Sequence, residues 1–238
     1  MSGWNTAKRF WKSAAVAETD GGFAIELDGR PLKTPAKTPA VVPTRALAEA
    51  IAAEWDAQGE QIDPMSMPVT RCANSALDKV AQQHAEVADM LAEYGGTDLL
   101  CYRADSPDAL VQRQAEAWDP VLDWTAETYG ARLKPVAGVM FQGQDPDALE
   151  SLRLKVHEMD NFELAAFHDL VCLSGSLVLG FAAVSDFAPI DELWSLSRID
   201  ESWQEEQWGE DEEAQEVAKI KEGSFLHAKA FFDASKPL

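Results

Sequence analysis

The sequence is poor in cations, cysteine and histidine, and each shortage removes a class of function. Twenty Lys and Arg stand against 41 Asp and Glu, a formal net charge of −21 over 238 residues. A field this negative repels nucleic-acid phosphates and anionic lipid; it favours basic surfaces, metal cations or plain solvation. The three cysteines, Cys72, Cys101 and Cys172, form no CxxC pair, which excludes zinc ribbons and thioredoxin-type motifs. Their odd number argues against a disulfide framework and fits a reducing compartment; all three are expected as small core residues. His84, His157, His168 and His227 are scattered. "HEMDN" at 157–161 carries Asn161 where a zinc protease needs its second histidine.

Other signatures are missing too. No GxxxxGK[ST] loop, GxSxG elbow or DxDxDG calcium loop occurs, and carboxylates are too abundant for any pair to signal acid–base work. No catalytic, cofactor-binding or metal-ligating residue is assigned, and no cofactor is expected. The longest apolar run, "LVCLSGSLVLGFAAV" at 170–184, would span about 22 Å as a helix, short of a bilayer core of about 30 Å. It is expected as one buried helix, near 161–184, without membrane insertion. The N-terminal "MSGWNTAKRFWKSAAVAETDGG" lacks a secretory apolar core and is too short and too aromatic for a mitochondrial presequence.

What is present is a globular composition, 46% hydrophobic with eight Trp and ten Phe. In "FAIELDGRPLK", 23–33, Phe23, Ile25 and Leu27 alternate with Ala24 and Glu26, and Asp28-Gly29 is a preferred two-residue hairpin turn. Prolines 31, 35, 39 and 43 keep the next stretch extended. Thr44 then reads as a helix cap, followed by Leu47, Ile51 and Trp55 on one face, with Gly59 as the stop. Helices are expected from Thr70 to Gly95-Gly96, from Ser106-Pro107 to Gly130 with a kink or split at Pro120, and from Asp145-Pro146 to about Met159. Another starts at Pro189 and carries the Leu193–Leu196–Ile199–Trp203 stripe, and a last one runs from about Glu210 to Ala230. The fold class is α+β: a small β-rich N-terminal domain with one helix, residues 1–66, and a larger mainly α-helical domain, 67–238.

One segment resists an ordinary reading. From Asp200 to Glu216 the chain carries nine carboxylates, no Lys or Arg, and two indoles, Trp203 and Trp208. Glu210 to Glu213 fit the first turn of a helix, where carboxylates complement the dipole. Trp203 extends the stripe and is expected in the core. Trp208 lies about 140° from it on a continuous helix, so it either turns inward after Gly209 or stands among the carboxylates. An indole ringed by acids suits a partner with apolar and basic surface.

The run "WSLSRIDESWQEEQWGEDEEA", 194–214, resembles a signature of the assembly chaperones of F1-ATPase. The resemblance extends over "RFWK" (9–12), "IELDGRPLKTPA" (25–36), "ALAEAIAAEWDAQGEQIDP" (46–64), "MPVTRCANSALD" (67–78), "TDLLCYRA" (97–104) and "WDPVLDW" (118–124), in the order of that family. It implies no enzyme activity and no cofactor. It implies a monomer that binds the unassembled alpha subunit, masks the surface a beta subunit later covers, and releases it during ATP synthase assembly. Because the chain begins almost at the first of these blocks, it reads as a bacterial cytoplasmic member. The expected partner-binding residues are Asp200, Glu201, Glu205, Trp208 and Asp211, Glu201 foremost. Two alternatives stand beside this reading: an acidic adaptor for another basic or apolar partner, and a metal-dependent enzyme using the carboxylate cluster.

Overall fold

A computed structural model describes residues 8–138 and 140–237. Residues 1–7 of the N-terminal segment read above, and Val139, lie outside the described residues. The strands are β1 (Ala14–Thr19), β2 (Gly22–Leu27), β3 (Arg30–Pro31) and β4 (Val41–Val42), followed by helices α1 (Arg45–Asp56), α2 (Pro68–Ser75) and α3 (Ala81–Ala92). Strand β5 (Tyr102–Arg103), helix α4 (Asp108–Tyr129) and strand β6 (Val136–Ala137) come next. Then come α5 (Pro146–His157), α6 (Asn161–Ser174), α7 (Leu177–Val184), α8 (Ile190–Leu196), α9 (Ile199–Trp208) and α10 (Glu212–Ser235). A sheet near the N-terminus followed by helices is the α+β architecture expected.

The chain packs as two compact units. The first runs to His84 and adds Asp160–Ala166 and the stretch from Ala230; the second holds Ala85–Met159 and Phe167–Lys229. The expected boundary after residue 66 falls inside the first unit, because the carboxylate of Glu54 on α1 caps α2. It accepts from the backbone N–H groups of Val69 and Thr70 at 2.8 and 2.7 Å, and from the Thr70 hydroxyl.

In the first unit β2 is the central strand, pairing antiparallel with β1, β3 and β4. The Asp28-Gly29 turn forms as expected: Leu27 pairs with Arg30, and the two turn residues take φ of 48° and 78°. Strand β1 was not anticipated; its Ala-rich "AAVAET" alternates only weakly. Thr44 caps α1 by accepting from the Leu47 N–H, and Leu47, Ile51 and Trp55 are buried as their spacing predicts. Trp55 packs on buried Trp11, ring centroids 5.0 Å apart. Arg9 closes this end of the helix by donating to the carbonyls of Asp56 and Gln58 at 2.7 and 2.6 Å, where a cation complements the helix dipole. The chain's last segment returns here: the Thr44 hydroxyl donates to the Ala234 carbonyl, and Phe231 and Phe232 are buried.

In the second unit several expected helices differ in extent. The 161–184 helix breaks into α6 and α7 at Gly175, which takes φ of 72°. Ser174 is buried at the end of α6, where its hydroxyl donates to the Leu170 carbonyl at 2.7 Å. The stripe helix breaks at Ser197-Arg198 into α8 and α9. There the Leu196 carbonyl, which a continuous helix would pair four residues on, accepts from the indole N–H of buried Trp118 at 2.8 Å. Conversely α4 runs unbroken through Pro120, whose freed carbonyl partner, residue Glu116, lies on the exposed face. Pro107 precedes that helix instead of occupying its first turn. Of the cysteines only Cys101 is buried; Cys72 is half-buried and Cys172 exposed, which corrects the expectation of three core thiols. No helix among the described residues is long and apolar enough to cross a membrane.

The break at Gly175 is organised around a carboxylate. Asp98 is fully buried and accepts from the Ser176 hydroxyl at 2.7 Å and from the N–H groups of Val178 and Leu100 at 3.0 Å each. Burial pushes its carboxyl up from 3.8 to about 6, against the opposing pull of those hydrogen bonds.

Two outcomes are expected. Trp55→Ala should lower unfolding stability by about 3–5 kcal/mol, read from urea midpoints; a loss under about 1 kcal/mol would take Trp55 out of the core. Because the folded carboxyl of Asp98 titrates above the unfolded one, its contribution is complete below the unfolded value of 3.8 and is lost as pH rises through about 6. Within that window stability should fall by about 1.4 kcal/mol per pH unit on its account. Asp98→Asn should flatten that component between pH 4 and pH 6 while lowering stability throughout, since an amide cannot accept on both sides. Equal pH slopes in the two proteins would refute the assignment.

Candidate functional site

The acidic two-tryptophan segment forms α9, the Gly209 turn and the start of α10. The face of α9 toward α4 is defined by three contacts. Gln114 of α4, itself buried, donates to Asp200 at 2.6 Å. Arg113 grips Glu206 with both guanidinium nitrogens, at 2.7 and 2.9 Å. The same guanidinium lies over the Trp203 ring, 4.9 Å from its centroid. Hydrogen bonding to Arg113 holds the Glu206 carboxyl below its ordinary range and raises Arg113 in turn. Asp200, Trp203 and Glu206, three residues apart in sequence, thus form one edge of the helix. Trp203 is half-buried under Arg113 rather than placed in the core as expected.

The remaining expected residues divide. At about 100° per residue Trp208, Glu201 and Glu205 fall within roughly 60° of one another, on the side opposite the Arg113 contacts. Arg198, at the break before α9, binds Glu201 at 2.7 Å and approaches Glu205 at 4.0 Å. Trp208 is 78% exposed, so of the two placements weighed for it the outward one is realised. Gly209, with φ of 93°, ends α9 directly after it. Asp211 belongs to the next helix as its cap: its carboxylate accepts from the Ala214 N–H at 2.9 Å and its carbonyl from Gln215. Asp200 and Asp211 therefore have intramolecular tasks, while Glu201 and Glu205, both held by Arg198, share an outer face with Trp208.

Two residues on α10 were missed. Val217 and Ile220, three apart on one helix face, are 46% and 64% exposed just beyond the carboxylate-rich stretch. The signal was available: apart from each other and Ala214, their neighbours at helical spacing are Glu213, Glu216, Lys221, Gly223 and Ser224. Despite the density of acids, among the described residues no three His, Cys, Asp or Glu side chains are grouped to hold a metal ion. What the outer face of α9 offers chemically is a large exposed indole beside carboxylates, suited to apolar contact with a basic rim.

Residues 8–126 match the family described as ATP12 chaperone protein. The chain is 27% identical over 223 residues to the mitochondrial protein atp12 of Schizosaccharomyces pombe, spanning 88% of this chain and 76% of that one. The crystal structure of Atp12 from Paracoccus denitrificans is 50% identical, covers 97% of this chain and 99% of its own, and superposes with a TM-score of 0.94. A second bacterial crystal structure, of a protein from Agrobacterium tumefaciens, is 42% identical, with 96% and 86% coverage and a TM-score of 0.92.

The geometry predicts opposite behaviour for two side chains. Arg113→Ala should release the inner edge of α9, so amide hydrogen exchange over 199–208 should accelerate selectively. Trp208→Ala should leave exchange unchanged and stability within about 0.5 kcal/mol. Equal protection in the Arg113 variant would show that α9 is held by other contacts.

Proposed function

Because the chain belongs to the ATP12 chaperone family, we propose that it is an assembly chaperone of F1-ATPase that binds the unassembled alpha subunit. It masks the subunit's interface and gives it up when a beta subunit offers a better one. The observation that carries this reading is the outer face of α9, where 78% exposed Trp208 stands with Glu201 and Glu205 on a helix anchored from its other side. Unassembled subunits of an oligomer expose large apolar interfaces, and shielding them suppresses aggregation. The net charge of −21 keeps the chaperone soluble with such an indole uncovered and steers it toward basic surface. The mode of action needs no nucleotide and no cofactor: binding and release are a competition between interfaces. The similarity to a Paracoccus protein supports placing it in the bacterial cytoplasm, and we take the active form to be a monomer.

Within this proposal Glu201, Glu205 and Trp208 contact the client. Asp200 and Asp211 support them, through Gln114 and through the α10 cap. The test is light scattering of isolated alpha subunit with near-stoichiometric chaperone and no ATP. Wild type should suppress aggregation. Glu201→Lys and Trp208→Ala should lose most of that protection with melting temperatures unchanged, and Glu212→Lys should protect like wild type. No protection by wild type at a several-fold excess would end the alpha-subunit reading. Full protection by both α9 variants would move the contact elsewhere.

A further inference from the structure

Away from α9, the second unit assembles a group of side chains that the chaperone reading does not use. His168 and Cys172 lie four residues apart on α6, one helical turn, so both project from the same face. The Cys172 sulfur is 3.7 Å from His168 Nε2, and the other ring nitrogen of His168 lies 3.0 Å from an oxygen of Asp169. Tyr94, from the turn at 93–97, donates its hydroxyl to the same sulfur at 3.6 Å. This is a nucleophile, an imidazole proton partner and an orienting carboxylate in sequence, with a second donor on the sulfur. Cys172 is exposed, whereas Cys101 is wholly buried.

We propose that Cys172 is a reactive thiolate, a site of oxidation by small neutral peroxides, with His168 as its proton partner. The thiolate sulfur attacks one peroxide oxygen, forming an S–O bond while the O–O bond breaks. The leaving hydroxide (or alkoxide, from an organic hydroperoxide) takes the proton of the His168 imidazolium and departs as water (or alcohol). The cysteine becomes a sulfenic acid, oxidised by two electrons, the peroxide is reduced by the same two, and His168 is left neutral. A neutral oxidant is specified because the net charge of −21 opposes approach of anionic disulfides and anionic electrophiles.

The protonation states agree with this geometry. The groups facing the sulfur are His168, Tyr94 and Asp169. Desolvation works against ionisation of Cys172, and hydrogen bonds from His168 and Tyr94 outweigh it, so the thiol lies below its ordinary value; the Asp169 charge opposes them. Hydrogen bonding to Asp169, and then to Cys172, raises His168 to about 10, so at neutral pH it is the imidazolium the step requires. The contrast within the chain is Cys101, which burial, with the nearby Asp98 charge, pushes up to about 12.

The test uses the full chain and a neutral alkylator, iodoacetamide, across pH 5 to 10, with Cys172 followed by peptide mass spectrometry. The alkylation rate of Cys172 should inflect below the value of about 8.5 of a free thiol. His168→Gln should move that inflection upward and slow alkylation at pH 7 by about tenfold or more, one unit of thiol ionisation being a factor of ten. Tyr94→Phe should act in the same direction. After hydrogen peroxide, a dimedone adduct should appear on Cys172 in wild type, sharply reduced in His168→Gln, and not on Cys101. An inflection at or above about 8.5 in the wild type would overturn the proposal without any variant. So would an unchanged rate in a folded His168→Gln, or absence of the dimedone adduct.

Discussion

Cations are scarce in this molecule, and the few arginines do the positioning. With twenty basic side chains against 41 acidic ones, most carboxylates cannot be neutralised by a partner, and they stay at the surface. The arginines that do pair are placed where one guanidinium can organise several groups. Arg9 takes the carbonyls at the end of α1 and faces the Trp11 ring. Arg103 covers buried Trp118, pairs with Asp119 and donates to the Leu100 carbonyl. Arg113 holds Glu206 and Trp203, and Arg198 sits between Glu201 and Glu205. Planar guanidinium suits this combination of ring stacking and forked hydrogen bonding in a way that lysine does not. The orientation of α9, and hence which of its acids face outward, follows from Arg113 and Gln114.

Much of the first unit was legible because its signals are local. Thr44 as a cap, the Leu47–Ile51–Trp55 stripe and the Asp28-Gly29 turn each act within a few residues, and all three form. The failures have a common cause in tertiary contacts. A continuous apolar run at 170–184 hides the bend at Gly175, because the bend is stabilised by Asp98, about eighty positions earlier. The 193–203 stripe keeps helical spacing across a break whose loose carbonyl is taken by Trp118, an interaction no local pattern announces. Pro120 raised the opposite error: its cost depends on the surroundings of the carbonyl it frees, and that carbonyl belongs to exposed Glu116.

The candidate surface was half legible. The off-stripe position of Trp208 follows from helical geometry alone, and the exposed indole bears it out. Counting carboxylates could not separate those bound within the protein from those facing out. Asp200, Glu206 and Asp211 are engaged by Gln114, by Arg113 and by a helix terminus, and only coordinates assign such partners. The pair at His168 and Cys172 was overlooked for a related reason: four-residue spacing marks a shared face, but Tyr94 joins it from a turn more than seventy residues away.

The return of the last segment to the first unit bears on the order in which the protein can be built. A ribosome releases the chain from its N-terminus at about 5–20 residues per second. The second unit ends at Lys229, whereas the first still lacks the stretch from Ala230, including Phe231, Phe232 and the Ala234 carbonyl that receives the Thr44 hydroxyl. The part begun first is therefore finished last, and the helical unit has its whole sequence available while the sheet-bearing one still waits for its closing segment. Cutting the chain after Lys229 would spare the nearer unit and injure the one that began far upstream.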